Sequence, residues 1–230
     1  MNEVIILAGG KGTRLQEVVS DLPKPMAPIN GRPFLSYVLD DIYKQGCRRV
    51  VLSTGYMHET IETYYGNQYN GDMEIVYSVE TSPLGTGGAV KQALAMIQAE
   101  HCIVMNGDTF FSIDIGELLA KHKNWNADLT IALKEMHDFD RYGTVKTDGA
   151  KVLAFQEKTK VDKGYINGGV YAISKTIFEQ ANTPAAFSFE VDFISAYFNE
   201  MNIMAVPFAG YFIDIGIPED YYKAQNELKR

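Results

Sequence analysis

Glu3-Val4-Ile5-Ile6-Leu7-Ala8-Gly9-Gly10-Lys11-Gly12-Thr13-Arg14-Leu15 is the stretch that decides the fold. Residues 3–8 are short, apolar and β-branched, and glycines close them off. That is the pattern of a buried strand. The glycines that follow let successive backbone N–H groups turn inward and form a concave anion site. Lys11 adds a mobile positive charge and Arg14 a forked one. Two familiar phosphate loops do not match. A Walker A loop needs Ser or Thr after its lysine, but Gly12 stands there; a Rossmann fingerprint needs a third glycine where Leu15 stands. At this point a tight strand-to-helix turn and a phosphate cradle both remain open.

Working outward, apolar spacing alternates between two periods. Phe34, Leu35, Val38, Leu39 and Ile42 predict a helix over 34–45, ended by Gly46. Strands are expected at 49–53, 73–78 and 101–105, and further helices at 57–65 and 88–99. This βαβαβαβ order argues for a mostly parallel sheet with right-handed crossovers. The second half is less regular. Strands are expected at 129–134, 144–147, 152–157, 165–173, 203–206 and 211–213, with helices at 175–181, 189–201 and 218–229. Phe187, Phe189, Phe193 and Tyr197 read as a buried helix face rather than an oligomer surface. With no linker composition and no internal repeat, one domain over 1–230 is expected. It divides into a nucleotide-binding half, 1–110, and a sugar-phosphate-binding half, 111–230.

Bulk properties exclude several classes. The 230 residues are 46% hydrophobic and 22% charged, which argues against disorder. The net charge of −8 makes general attraction to nucleic acid or anionic membrane unfavourable. Cys47 and Cys102 sit in apolar contexts without a CxxC, as buried free thiols of a reducing compartment. The N-terminus lacks a signal-peptide pattern, and 201–213 is too short and broken to span a bilayer, so a cytoplasmic location is expected. His58, His101, His122 and His137 show no metal-ligand spacing and read as structural or solvated.

Downstream, Pro23-Lys24-Pro25 mounts one lysine between two prolines, which stiffen the backbone around it. Residues 1–32 carry a net +1 and the remainder −9, so positive charge is concentrated where a phosphate site would need it. Leu-Ala-Gly-Gly-x-Gly-Thr-Arg-Leu followed by Pro-Lys-Pro resembles the sugar-1-phosphate nucleotidylyltransferases, and the resemblance runs over nearly the whole chain. It implies an α/β fold: a Rossmann-like three-layer sandwich with a mixed, mostly parallel central sheet, of the nucleotide-diphospho-sugar transferase type.

The resemblance also implies roles. Leu7, Ala8, Gly9, Gly10, Lys11, Gly12 and Thr13 would line the nucleotide phosphates. Glu80-Thr81-Ser82-Pro83-Leu84-Gly85-Thr86-Gly87-Gly88 matches the loop that contacts base and ribose, with Glu80, Gly85 and Gly88 on the base side. A carboxylate at Glu80 could accept both N1–H and the 2-amino group of guanine. Met105-Asn106-Gly107-Asp108 ends the fourth strand, where ligands of open α/β sheets bind. Asp108 is suited to Mg²⁺, and Asp214, before Gly216, would join it. Glu219 and Asp220 would favour the start of the last helix through its dipole. Gly143, Glu157, Lys158, Asn167 and Gly169 would hold the sugar phosphate.

The implied reaction is attack by a sugar 1-phosphate oxygen on the α-phosphorus of a nucleoside triphosphate, with pyrophosphate leaving. The attacker is already anionic, so charge stabilisation is the main demand. Arg14, Lys24 and Asp108 are the residues expected to meet it. The stretch 17–28 departs from the Leu-x-Pro-Leu-Thr form of glucose and mannose members and looks most like the bacterial members acting on a manno-heptose 1-phosphate. Guanylyl transfer to heptose, for surface glycans such as capsule, is therefore expected first. Guanylyl transfer to mannose comes second and uridylyl transfer to an N-acetylated sugar third. A non-catalytic, regulatory homologue is the other class; it would be expected to lose part of the set Arg14, Lys24, Asp108, Lys158 and Asp214. The chain length is expected to leave no added regulatory or acyltransferase domain. The expected partners are small-molecule substrates, with no nucleic acid and no membrane, and a homodimer stays open.

Overall fold

A computed structural model describes residues 2–10, 15, 18–19 and 21–228. β1 (Glu3–Leu7) forms at the expected place, in the interior of the main sheet. Lys24–Met26 then makes a single 3-10 turn. β2 (Pro28–Ile29) and β3 (Arg32–Pro33) form a small ribbon ahead of α1 (Phe34–Lys44). The rest of the first half comprises β4 (Arg49–Thr54), α2 (His58–Tyr65), β5 (Gln68–Tyr69), β6 (Met73–Val79), α3 (Gly85–Leu94) and β7 (His101–Asn106). β8 (Thr109–Phe111), α4 (Ile115–Asn124), β9 (Leu129–Phe139), β10 (Thr144–Asp148), β11 (Lys151–Gln156) and β12 (Val161–Ser174) follow. A π-helical turn at Phe189–Ile194, β13 (Ile203–Phe208), β14 (Phe212–Asp214) and α5 (Pro218–Glu227) complete the chain.

The main sheet runs β10-β11-β13-β9-β12-β7-β1-β4-β6-β5. β6, β4, β1 and β7 are mutually parallel neighbours, as the alternating pattern requires. β12 is antiparallel to both β7 and β9, so β9 and its parallel neighbour β13 return to the direction of β1. The sheet is therefore mixed and continuous through both halves of the chain.

Strand periodicity sorts the core into two faces. Val4 and Ile6 join Phe34, Leu39, Ile61, Leu118 and Ala224, so α1, α2, α4 and α5 cover one side. Ile5, Val51 and Val104 join Val90, Leu94, Phe189 and Phe193, so α3 and the π-helical turn cover the other. The result is a three-layer α/β sandwich. Cys47 and Cys102 are buried free thiols, and burial pushes them up to about 11 and about 12.

Some elements differ from expectation. α3 starts at Gly85, not at 88, and Gly85 itself enters it with φ +67°. Residues 175–181 form separate turns with i→i+3 bonds rather than a helix. The Ser174 side chain accepts from the Thr176 N–H and competes with a helical ladder. Helix 189–201 is replaced by the π-helical turn, in which Phe193 and Ser195 N–H groups reach back five residues to Ser188 and Glu190. The wider winding stacks Phe189 on Phe193 and lets both pack on Phe178. α4, which the strand-and-helix reading leaves out, is capped by Asp114 accepting from the Glu117 N–H. At α5, Asp220 also pairs with Arg141 at 2.6 Å, beyond its place in the first turn.

Candidate active site

Four neighbouring strands end at one cavity of about 810 Å³. Leu7, Gly9 and Gly10 come from the end of β1, Gly55 and Tyr56 from β4, Glu80 to Pro83 from β6, and Asn106 and Asp108 from β7. This is the carboxyl edge of the parallel strands, where open α/β sheets bind ligands. The side toward α3 is completed by Gly85, Thr86 and Ala89, and the floor by Lys24, Pro25 and Gly216. Lys11, Gly12, Thr13 and Arg14 lie outside the described residues. Ala8 is buried beside the cavity, its N–H bonded to Ser53. Gly107 packs on the Leu7 carbonyl, to which its N–H donates at 2.9 Å.

The floor is electrostatic. Lys24 Nζ lies 2.5 Å from Asp108 Oδ2 and 3.9 Å from Asp214 Oδ1. Proline geometry at Pro23 and the 3-10 turn aim this lysine inward, and only 10% of its side chain is exposed. Asp214 reaches Asp108 because β14 pairs with β8, setting Asp214 opposite Thr109. The Ile215 N–H then donates to the Asp108 carbonyl, and the Gly216 N–H holds Asp214 Oδ1 at 2.7 Å. Burial raises the Asp214 carboxyl, the Asp108 charge adds to that, and Lys24 opposes it. Two carboxylates already sharing one cation form a hard-oxygen donor set that suits a divalent ion with phosphate ligands. Among the described residues no group of three or more His, Cys, Asp or Glu side chains could hold a metal by itself. A carboxylate pair that relies on substrate oxygens is consistent with that.

Glu80, expected on the base side, lines the cavity at the end of β6. It is partly buried, burial raises its carboxyl, and Oε2 accepts from the Leu84 N–H at 2.9 Å. Its Oε1 leans on Gly9: a Cβ there would fall 2.6 Å from that oxygen. Gly85 is a second forced glycine, with φ +67° and a would-be Cβ 2.5 Å from the Phe187 carbonyl. Gly88 faces Ala185 and does not line the cavity. Gly55, Tyr56 and Ala89 do line it and escape motif reading. The strand-end rule could have found the first two, since they directly follow β4.

The residues expected to hold the sugar phosphate, Gly143, Glu157, Lys158, Asn167 and Gly169, are not among those lining this cavity. Gly169 approaches Asn106 so closely that a Cβ would sit 2.7 Å from its side-chain nitrogen. Asn167 Nδ2 donates to Tyr171 at 2.8 Å and to Glu190 at 2.9 Å, while its Oδ1 accepts from the Gly169 N–H. Gly143 packs against the Gln156 carbonyl, and Glu157 and Lys158 are exposed in the connection from β11 to β12. Glu190 is absent from the sequence reading, because only the π-helical turn carries it to Asn167. The histidines are elsewhere. His122 is fully buried between His101 and Thr130, and His58 and His137 pair with Glu62 and Glu135.

A nearly buried lysine between two carboxylates, on the floor of a cavity at the strand ends, suits phosphate chemistry. Residues 3–230 match the nucleotidyl transferase family. The chain is 52% identical to a D-glycero-alpha-D-manno-heptose 1-phosphate guanylyltransferase of Aneurinibacillus thermoaerophilus, over 99% of this chain and 98% of that one. It is 45% identical to the enzyme of the same name from Campylobacter jejuni, over 96% and 97%. The crystal structure of HddC from Yersinia pseudotuberculosis complexed with GMP-PN superposes with a TM-score of 0.89, at 40% identity and full coverage of both chains. Strand-end cavity, carboxylate pair and full-length similarity agree, and the chain belongs to the nucleotidyl transferase family.

Proposed function

We propose that this chain transfers the guanylyl group of GTP to D-glycero-α-D-manno-heptose 1-phosphate, yielding GDP-heptose and pyrophosphate. The observation that carries the reaction class is Lys24 lodged between Asp108 and Asp214 on the floor of the strand-end cavity. The relatives' full-length similarity supports guanine and heptose as the substrates.

A phosphate oxygen of the sugar forms a bond to the α-phosphorus, and the bond from that phosphorus to the β-phosphate bridge breaks. No general base is required, because the attacking oxygen is ionised at neutral pH. Asp108 and Asp214 would hold Mg²⁺, which would supply charge neutralisation at the phosphates. Backbone N–H groups after β1 would face the phosphate chain. Lys24 would bring its ammonium to the α-phosphate, and Lys158 would meet the sugar phosphate. Glu80 would accept the N1–H and 2-amino protons of guanine, a donor pair that uracil lacks. We place the reaction in the cytoplasm, where buried free thiols such as Cys47 and Cys102 persist. No helix among the described residues is long and apolar enough to cross a membrane.

The test is pyrophosphate release from GTP, UTP, CTP and dTTP, each offered with heptose, mannose, glucose and N-acetylmuramate 1-phosphates. Release with GTP and the manno-heptose phosphate, dependent on Mg²⁺, is the expected outcome. Release with another pair would correct the specificity. Nucleotide binding without release in any pair would favour a regulatory protein. Asp108→Asn and Asp214→Asn should each lower kcat by about two or more orders of magnitude with the fold intact, since charge stabilisation dominates such transfers.

A further inference from the structure

β12 loses its pairing register with β9 between Asn167 and Tyr171, in the segment whose Gly169 packs on Asn106. Three side chains meet there. Asn167 Nδ2 donates to both Tyr171 and Glu190, and the Tyr171 hydroxyl donates to the same Glu190 oxygen, Oε1. The Asn167 carbonyl is engaged as well, by the Gly169 N–H at 3.0 Å. Asn167 therefore has both amide protons committed inside the protein. It is better placed to hold a neighbour than to donate to a sugar.

The neighbour it holds is Glu190. Phe189 and Phe193, each 1% exposed, anchor its turn beneath the surface, whereas Glu190 itself is exposed. The Phe189 N–H donates to Thr86 Oγ1 at 2.8 Å, and Thr86 lines the cavity. On the opposite side, Gly169 packs on Asn106, which also lines it. Glu190 thus stands between a turn that bonds to Thr86 and a strand segment that packs on Asn106, two residues of the cavity lining, without itself lining the cavity. Its Oε1 accepts two internal hydrogen bonds, and its Oε2 accepts none from the described residues.

We propose that Glu190 is a specificity-determining residue that accepts hydroxyl protons of the sugar through Oε2, with Asn167 and Tyr171 fixing its orientation. The inference rests on the reading of the second substrate as a sugar 1-phosphate. A carboxylate held at one oxygen and free at the other is a preorganised acceptor, and sugars are rich in donors at that scale. A carboxylate prefers donors, so it selects hydroxyl position and discriminates against sugars lacking that hydroxyl.

The alternative is that Glu190 serves only to satisfy the buried Tyr171 hydroxyl. Glu190→Gln separates the two roles. The glutamine oxygen can keep both internal hydrogen bonds, while its amide replaces the free acceptor by a donor. The variant should melt like the wild type and keep its KM for GTP. Its KM for the sugar 1-phosphate should rise about ten- to hundredfold, the loss expected for a hydrogen bond to a charged acceptor. A panel of monodeoxy sugar 1-phosphates completes a cycle: for the one lacking the contacted hydroxyl, wild type and variant should perform equally. Sugar KM unchanged in Glu190→Gln, with Glu190→Ala merely lowering Tm, would overturn the proposal. So would an equal penalty across every deoxy sugar. The wild-type rate tests the reading of the reaction, and the ratio of variant to wild type tests the role of Glu190.

Discussion

Lys24 sits where a charge argument can be pressed hardest. Its ammonium is nearly buried and shared by Asp108 and Asp214, which would otherwise repel one another. It therefore acts as an internal counter-ion at the place assigned to the metal. Lys24→Met removes that counter-ion without adding a polar group. Two consequences should separate. Turnover should fall by about two orders of magnitude or more, because a fixed positive charge at the transferring phosphate is gone. Binding of Mn²⁺ to the nucleotide-free protein should tighten, because no side chain competes for the carboxylates. Electron paramagnetic resonance titration of free Mn²⁺ reads the second effect directly. Weaker Mn²⁺ binding in the variant would show that Lys24 assembles the pair rather than competing for it. Gly9 carries a second prediction. A methyl group there would meet Glu80 Oε1 at 2.6 Å, so Gly9→Ala should displace Glu80 and raise the KM for GTP, measurable by initial rates, while sugar KM stays put.

At the scale of elements, legibility followed length and locality. β1, β4 and β7 were readable because each is a nearly continuous apolar run with both faces largely buried, and β6 because its apolar residues outlast one exposed charge at Glu74. Their carboxyl ends then located Gly9, Glu80, Asn106 and Asp108 together. Of the ribbon of β8 and β14, the sequence reading includes only β14, as a strand at 211–213, and leaves out β8. Each strand has three residues, too few for periodicity, yet this ribbon carries Asp214 to Asp108. Motif resemblance supplied Asp214 where pattern could not. Glu190 was invisible for a related reason: its role depends on a π-helical turn that forms around packed aromatic rings. α4 is different, because its signal was present. Ile115, Leu118, Leu119 and His122 follow helical spacing, and Asp114 with Glu117 forms the start of a capped helix. Asp114→Ala should cost about 1 kcal/mol by removing the cap, lowering Tm by roughly 2–4 °C in a chain of this size. Calorimetry would check it, and an unchanged Tm would mean that packing of Leu118 and Leu119 fixes α4 without its cap.

At the scale of the whole molecule, the two halves are joined by the β7–β12 pairing and by one buried polar chain. His101 Nδ1 meets His122 Nε2 at 3.1 Å, and His122 Nδ1 meets Thr130 Oγ1 at 3.0 Å. β7, α4 and β9 are thereby linked through a histidine with no exposed surface. Burial pushes His122 down to about 4, with His101 and Lys123 acting in the same direction and Asp128 against it. In the unfolded chain a histidine titrates near its ordinary value, about 6.5. Between these values the unfolded chain binds the extra proton and the folded chain does not. The contribution of His122 is therefore complete above about pH 6.5 and is lost progressively as pH falls toward 4, on the order of 3 kcal/mol in all. Glu80 and Asp214, whose carboxyls are raised, act in the opposite sense at lower pH, so the comparison must be made against a variant. His122→Asn keeps a polar group near Thr130 but cannot titrate. Urea unfolding at pH 7.5 and pH 5.0 should show the wild type losing more stability than the variant over that interval. Because the sheet is continuous through β7 and β12, the loss should appear in one cooperative transition of both halves. Equal pH slopes for wild type and variant would show that His122 accepts its proton inside the fold, and that the histidine chain does not couple the two halves to acid.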